Sequence, residues 1–224
     1  LYFPVYMAVF TWLQVNTPES IHIVDCPVDR FIPFCEWFVI PYLLWFLYLG
    51  VAAAYFFFFE KDIFCRAMYF GMIGMTLFLV IGILYPNGLN LRPESFTRDN
   101  ICIDLVKRIY ALDPPRNVLP SIHVFNSVAA CCCILESKKL SEKPLIRDGS
   151  IVLTVCIVLS TMFLKQHSVF DVALALLLAS ISYGIVFGDS IARSMSKTKQ
   201  GYRVLQDHKN YKKKRRVGYR HYYR

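Results

Sequence analysis

The chain has 224 residues, of which 56% are apolar and 16% aromatic, and its mean hydropathy is +0.42. A soluble domain is closer to ~45–50% apolar, so an ordinary soluble or disordered class is excluded. The net charge of +9 is unevenly placed, and the eight cysteines contain no Cys-x-x-Cys pair, so no zinc site is expected.

The chain opens on an apolar stretch, Leu1 to Leu13. It is too short to cross a bilayer with a polar flank and reads as the end of a first span whose start precedes Leu1. No basic segment precedes it, so a signal peptide is not supported. A polar connection with prolines follows, Asn16 to Pro33, and then span two, about Trp37 to Phe59. Glu60-Lys61-Asp62 ends that span, with a short loop before span three, about Ala67 to Leu84. Gly71, Gly74 and Gly82 lie in span three, where small residues allow close helix approach.

Tyr85 to Leu119 is the longest polar connection. It contains the turn Tyr85-Pro86-Asn87-Gly88 and the pair Arg92-Pro93. Ile101, Leu105, Ile109 and Leu112 recur at helical spacing between Arg98 and Leu112, which predicts an amphipathic helix lying at the membrane interface. Asp113-Pro114-Pro115 stops it.

Span four is predicted from about Ser121 to Leu135, and a basic loop from Glu136 to Gly149. Span five covers about Ser150 to Leu164. The turn Lys165 to Ser168 leads to span six, about Val169 to Phe187. Cys131, Cys132 and Cys133 read as small apolar fillers. Cys26, Cys35 and Cys102 fall in loops or near span ends, where a disulfide among them is open.

The expected fold is therefore all-α, a polytopic membrane bundle of six transmembrane helices. A membrane domain covers 1–188, with a partial first span at 1–13 and an outer loop with its amphipathic helix at 85–120. A basic tail covers 189–224. Lysine and arginine concentrate in cytoplasmic loops. The side holding the tail and the loops 60–66 and 136–149 carries 18 of the 25 Lys and Arg, the other side seven. This orients the tail to the cytoplasm. It also puts Arg92, His123 and His167 together on the opposite face. A basic tail directly after a span suits anionic headgroups or topology fixing better than nucleic acid, and no nucleic-acid partner is expected.

Two histidines end long apolar runs, where an ionisable side chain is costly without a partner or purpose. One is in Pro120-Ser121-Ile122-His123. The other is in Lys165-Gln166-His167-Ser168-Val169-Phe170-Asp171. His167 and Asp171 are four apart, so on a helix they share a face. A carboxylate there can hold one ring nitrogen's proton and leave the other free and nucleophilic. Arg92 offers a planar fork for phosphate oxygens. Ser121 opens a helix whose unpaired N–H groups favour an anion, and Lys165 offers a point charge. His22, His208 and His221 have no partner pattern and read as solvated.

Arg92-Pro93, Pro120-Ser121-Ile122-His123 and His167 with Asp171 together resemble the signature of the type 2 phosphatidic acid phosphatase superfamily, over about Tyr85 to Asp171. That signature is Lys-x6-Arg-Pro, Pro-Ser-Gly-His and Ser-Arg-x5-His-x3-Asp. Here Tyr85 stands in place of Lys, Ile122 in place of Gly, and Ser160-Thr161 in place of Ser-Arg. Two cations of the phosphate clamp are thus missing, with Lys165 the candidate substitute. The wording is also similar to the branch that includes inositol phosphorylceramide synthases.

The resemblance implies a haloperoxidase-like helical core and a metal-independent lipid phosphatase without cofactor. Its substrate would be a membrane-anchored phosphomonoester or diphosphate. It implies His167 as nucleophile forming a phosphohistidine, Asp171 as its orienting carboxylate and His123 as general acid. Arg92, Ser121 and Lys165 would bind the phosphate. Two rival readings are a lipid phosphotransferase and a non-catalytic protein that binds lipid phosphates.

Overall fold

The structure, a computed structural model, describes residues 2–16, 18 and 20–189. One compact unit spans Leu1–Val186, and a second begins at Phe187. The basic tail predicted at 189–224 lies outside the described residues from position 190 on, as do His208 and His221.

The chain is mostly helical. Its helices are α1 (Tyr2–Val15), α2 (Val39–Phe59), α3 (Lys61–Leu84), α4 (Ile101–Leu112), α5 (Ile122–Glu136), α6 (Lys138–Ser141), α7 (Pro144–Phe163) and α8 (Val169–Asp189). Four segments are long and apolar enough to cross a membrane: Glu36–Phe59, Lys61–Leu84, Pro144–Phe163 and Val169–Asp189. Phe46, Leu47, Phe57, Phe58, Val152, Val155, Leu177 and Ile185 lie on these helices and are exposed. Large apolar side chains facing outward along helices of that length point to an integral membrane protein.

Of the other two predicted spans, the partial first one is helical as α1, and α5 has 15 residues. At 1.5 Å per residue α5 is shorter than a bilayer core of ~30 Å. α5 is instead the buried centre of the bundle: eight of its residues are buried, among them Val124, Phe125, Ala129 and Cys133. It packs on α7 and α3.

Several boundaries differ from the sequence reading. α3 begins at Lys61, so Glu60 alone separates it from α2. Glu60 leaves helical geometry at φ −144° and ψ 73°, and its Oε1 accepts from the Ser137 hydroxyl at 2.6 Å. The basic loop predicted after α5 folds into α6 and the first turn of α7, where Pro144 occupies an initial position that lacks no hydrogen bond.

Among the span-three glycines, Gly74 and Gly82 have the packing role expected. A Cβ on Gly74 would sit 2.2 Å from the Phe125 ring of α5, and one on Gly82 would sit 2.7 Å from Leu13 of α1. Gly71 faces open space.

α4 forms, and the middle of the predicted stripe, Leu105 and Ile109, packs inward while its two ends do not. Ile101 and Leu112 are 76% and 85% exposed, while Cys102, Ile103 and Val106 are buried. Cys102 and Val106 join Val39, Tyr42 and Leu164 in one cluster, with Leu105, Ile109 and Tyr110 packed against it. The buried face is rotated because α4 packs on the start of α2, not on a flat apolar surface.

The two long polar connections are tied together. A parallel pair of short strands, β1 (His22–Ile23) and β2 (Asn87–Gly88), pairs His22 with Asn87 and Ile23 with Gly88. Gly88 also bridges to Arg116. A Cβ on Gly88 would lie 2.8 Å from the Pro115 carbonyl oxygen, backbone that cannot swing aside. All cysteines of the described chain are free thiols, Cys26, Cys35 and Cys102 included.

Candidate functional site

His167 sits in the connection between α7 and α8, and the connection is built from two helix ends. α7 closes as a Schellman motif: Gln166 N–H donates to Thr161 O at 2.9 Å and Lys165 N–H to Met162 O at 3.0 Å. The motif needs a left-handed residue, and Lys165 supplies it at φ 53°. A non-glycine there costs about 1–3 kcal/mol. The Lys165 ammonium is anchored in return, donating to Asp29 O at 2.8 Å and Ile32 O at 2.5 Å. Burial lowers its pKa and the Asp29 charge opposes that shift.

α8 starts two residues after His167, at Val169, with Ser168 as its N-cap. Ser168 N–H donates to Asp171 Oδ2 at 3.0 Å, and Phe170 N–H donates to Ser168 Oγ at 3.2 Å. This is a capping box with aspartate at the third helical position. His167 Nδ1 lies 3.3 Å from the same Asp171 Oδ2. The histidine and aspartate therefore meet across a helix cap, not along a helix face as the four-residue spacing predicted. Asp171 is fully buried.

The whole turn rests on Asp29, a residue the sequence reading passed over as part of a polar loop. Its Oδ2 accepts from Ser168 Oγ at 2.6 Å and Cys26 N–H at 2.8 Å, and its Oδ1 accepts from Val169 N–H at 2.8 Å. Asp29 is 2% exposed. A carboxylate at a helix N-terminus that satisfies three donors is favourably placed.

His123 lies in the first turn of α5. Ser121 caps that helix, its Oγ accepting from Val124 N–H at 3.4 Å. The segment before it, through a cis Leu119–Pro120 bond, hangs on Asn87. This fully buried side chain accepts from Val118 N–H at 2.9 Å and Leu119 N–H at 3.0 Å, and donates to Tyr85 O at 2.7 Å. The His123 ring packs between Tyr42 at 4.6 Å and Trp45 at 4.4 Å. It lies 6.1 Å from the His167 ring, centroid to centroid.

Arg92 stacks over the Tyr110 ring at 4.2 Å. It donates to Tyr110 O at 3.2 Å, to Asp113 O at 2.7 Å and to Gln166 Oε1. Burial lowers its pKa, against the pull of Tyr110, Asp113 and Tyr42. Burial also pushes the Tyr110 phenol up to about 12, so at neutral pH it keeps the proton it donates to Leu164 O at 2.7 Å.

Arg92, His123 and His167 line one cavity of about 160 Å³. Gln14, Gln166, Asp113, Arg116 and Asn117 complete its polar wall, and Tyr6, Phe10, Phe78, Val118 and Ile122 are on its apolar wall. Three of the six predicted site residues thus meet at the cavity, and Asp171 stands behind His167.

Lys165 does not join them. Its ammonium is spent on the Asp29 and Ile32 carbonyls, so the expected point charge on a phosphate is not where the sequence put it. The Ser121 hydroxyl is buried under its own helix cap. Tyr85, in place of the signature lysine, stacks on His22 at 4.3 Å. Thr161, in place of the signature arginine, is buried and bonds Val158 O within α7.

Asp29 and Asn87 are the residues that sequence reasoning missed. Ser168-x-x-Asp171 is a legible capping signal, and Asn87-Gly88 a legible turn. Nothing local says that Asp29 caps a helix 140 positions away.

No family model matches the chain, and neither a curated protein nor a solved structure does.

Proposed function

We propose that this protein is an integral membrane phosphatase acting on a lipid-anchored phosphate ester. The observation that carries the reading is the meeting of Arg92, His123 and His167 at one cavity, with Asp171 bonded to His167 from behind. Residues some 75 positions apart in sequence are brought around a space of one small polar group.

In the proposed reaction the free His167 Nε2 attacks phosphorus while Asp171 holds the opposite ring nitrogen. The phosphorus–oxygen bond to the lipid breaks, and His123 protonates the departing alkoxide, with ring centroids 6.1 Å apart. Water then attacks the phosphohistidine, its proton passes to His123, and phosphate leaves with His167 restored. Arg92 neutralises charge on the equatorial oxygens. No step needs a metal ion. Tyr6, Phe10 and Phe78 along the cavity suit an apolar anchor beside the phosphate.

Six crossings, with α1 the partial first and α5 shorter than the other four, and the excess of Lys and Arg on the tail side, would turn the cavity away from the cytoplasm. The similarity to the inositol phosphorylceramide synthase branch makes an alcohol the alternative acceptor.

Full-length protein in detergent, with EDTA present, should release phosphate from a panel of phosphatidate, polyprenyl diphosphate and phosphatidylglycerol phosphate. Label from a 32P-substrate should be trapped on His167 in an acid-labile, base-stable form, and His167→Ala and His123→Ala should each abolish turnover. An added alcohol that takes up the label marks a transferase. Near wild-type rates in either histidine variant would refute the assigned roles. Phosphate binding without any turnover would leave a lipid-phosphate binder.

A further inference from the structure

The signature that this chain resembles calls for two more cations than Arg92, and neither position carries one here. Lys165, the substitute suggested by sequence, is committed to the Asp29 and Ile32 carbonyls. A phosphoryl group with only one guanidinium and two imidazoles would be short of positive charge, the more so because the Asp113 carboxyl is also in the cavity wall.

The cavity nevertheless holds donors that the protein itself does not use. Gln166 is 3% exposed and lines the cavity. Its Oε1 is taken by Arg92, while its Nε2 has no hydrogen-bond partner. The Tyr42 hydroxyl is its nearest side-chain hydrogen-bonding neighbour, at the edge of bonding geometry, and a ligand oxygen would compete with that weak contact alone. The buried Nε of Arg92 is also without a partner. Unpaired buried donors are costly, and two beside one cavity are what an acceptor-rich ligand would satisfy.

Arg116 is the remaining cation on the wall. Its side chain makes no hydrogen bond or ion pair among the described residues, although its backbone is held firmly. Arg116 bridges to Gly88, its N–H donates to Pro114 O at 2.8 Å, and its neighbours are fixed by Leu89 N–H to Pro115 O at 3.0 Å and Asn117 N–H to Asn87 O at 2.7 Å. Asn117 is held at φ 52° in the same segment. A rigid mount for an uncommitted guanidinium at the mouth of a cavity containing another arginine is poorly explained by solvation alone, since the two cations repel.

We propose that Arg116 and the Gln166 carboxamide complete the phosphate-binding site, replacing the two absent cations of the signature. Arg116 takes the oxygens at the open side of the phosphoryl group, and Gln166 Nε2 donates to an oxygen beside those held by Arg92. Both are binding residues of the site that the phosphatase reading describes, and the inference rests on that reading for the identity of the anion. It explains how the chain dispenses with lysine at Tyr85 and arginine at Thr161.

The test is titration of full-length protein in detergent with inorganic phosphate and with vanadate, followed by steady-state kinetics on the best substrate of the panel. Arg116→Ala should weaken phosphate binding by about 10- to 100-fold and raise KM more than it lowers kcat. Arg116→Lys should recover part of the loss, because a point charge remains without the planar fork. Gln166→Leu should weaken binding less than Arg116→Ala. Arg108→Ala, an exposed arginine of α4 away from the cavity, is the surface control.

Should Arg116→Ala bind phosphate as the wild type does while the wild type turns over lipid phosphate, the inference fails and the phosphatase reading survives. Should wild-type protein bind phosphate in an Arg116-dependent way without turnover, the anion site stands and the enzyme reading fails. Absence of phosphate binding in folded wild-type protein overturns both.

Discussion

The two histidines face one cavity but are held there by different physics. His167 is fixed by buried polar chemistry: a Schellman turn, a capping box, and the Asp29 carboxylate that serves Ser168, Val169 and Cys26 together. His123 is fixed by shape, with its ring between Tyr42 and Trp45 and its helix start suspended from Asn87. In the proposed reaction His167, as nucleophile, must present one nitrogen in one direction, and hydrogen bonds specify direction. In the same proposal His123, as general acid, must hold and release a proton in a confined place, and aromatic packing confines without fixing which nitrogen is protonated. The polar side should therefore break abruptly when a partner is lost, and the packed side by degrees.

The largest effect is expected at Asp29. Asp29→Ala removes the acceptor of three donors and the counter-charge of Lys165. Each buried donor left without its acceptor costs about 1–3 kcal/mol, read as a lowered unfolding midpoint in detergent. Asp29→Asn keeps the shape and one acceptor oxygen, so the fold should largely recover. The rate should not recover in full, because Lys165 is left uncompensated and the His167 turn shifts. A fall in kcat at near-constant KM in Asp29→Asn is the readout that a purely structural role would not produce. A wild-type kcat in that variant would show that the polar clamp does not position His167.

Asn87 should give the next largest effect. Asn87→Ala leaves the N–H groups of Val118 and Leu119 without acceptors in a buried place, at a cost of about 1–3 kcal/mol for each of these two donors, against three donors orphaned in Asp29→Ala. Because His123 is confined by rings as well, turnover should fall less per unit of lost stability than in Asp29→Ala. Unfolding midpoints and kcat measured on the same samples check that ratio. A larger loss of rate per unit of stability in Asn87→Ala would reverse the comparison.

The same contrast shows what the sequence could and could not disclose. Long apolar runs made α2, α3, α7 and α8 legible, and polar breaks located the connections to within several residues. The histidines, Arg92 and Asp171 were legible because ionisable residues at the ends of apolar runs are conspicuous. The face of α4 was legible only in part, because Ile101, Leu105, Ile109 and Leu112 fit a helical stripe equally well against lipid or protein, and only the neighbouring start of α2 selects Cys102, Ile103 and Val106. Lys165 looked like a phosphate ligand because it is two residues from His167. A left-handed backbone and two distant carbonyls, which no local pattern encodes, gave it another use. Asp29 escaped notice for the same reason: it acts through contacts made by loops far apart in the chain.

The smallest expected effect concerns Asp113, the carboxyl that shares the cavity with Arg92, His167 and Arg116. Burial raises its pKa, and the nearby His167 and Arg92 charges hold it down in part. A carboxyl with a raised pKa keeps its proton to higher pH than the ordinary aspartate value of about 3.9. Below its folded pKa it is neutral and leaves an anionic ligand undisturbed; above it, the carboxylate opposes that ligand. Its burial penalty to stability grows as pH rises from the ordinary aspartate value of about 3.9 toward the raised folded pKa, is complete above it, and is absent below both. Asp113→Asn should therefore bind inorganic phosphate more tightly than wild type, by a few-fold, as expected for one partly screened charge. The advantage should be full above the Asp113 pKa and vanish below it. Comparing the two proteins at each pH cancels the ionisation of phosphate itself. If the ratio of affinities stays flat from acid to neutral pH, the Asp113 charge does not reach the bound anion, and the polar wall is less tightly drawn around the phosphate than its lining residues suggest.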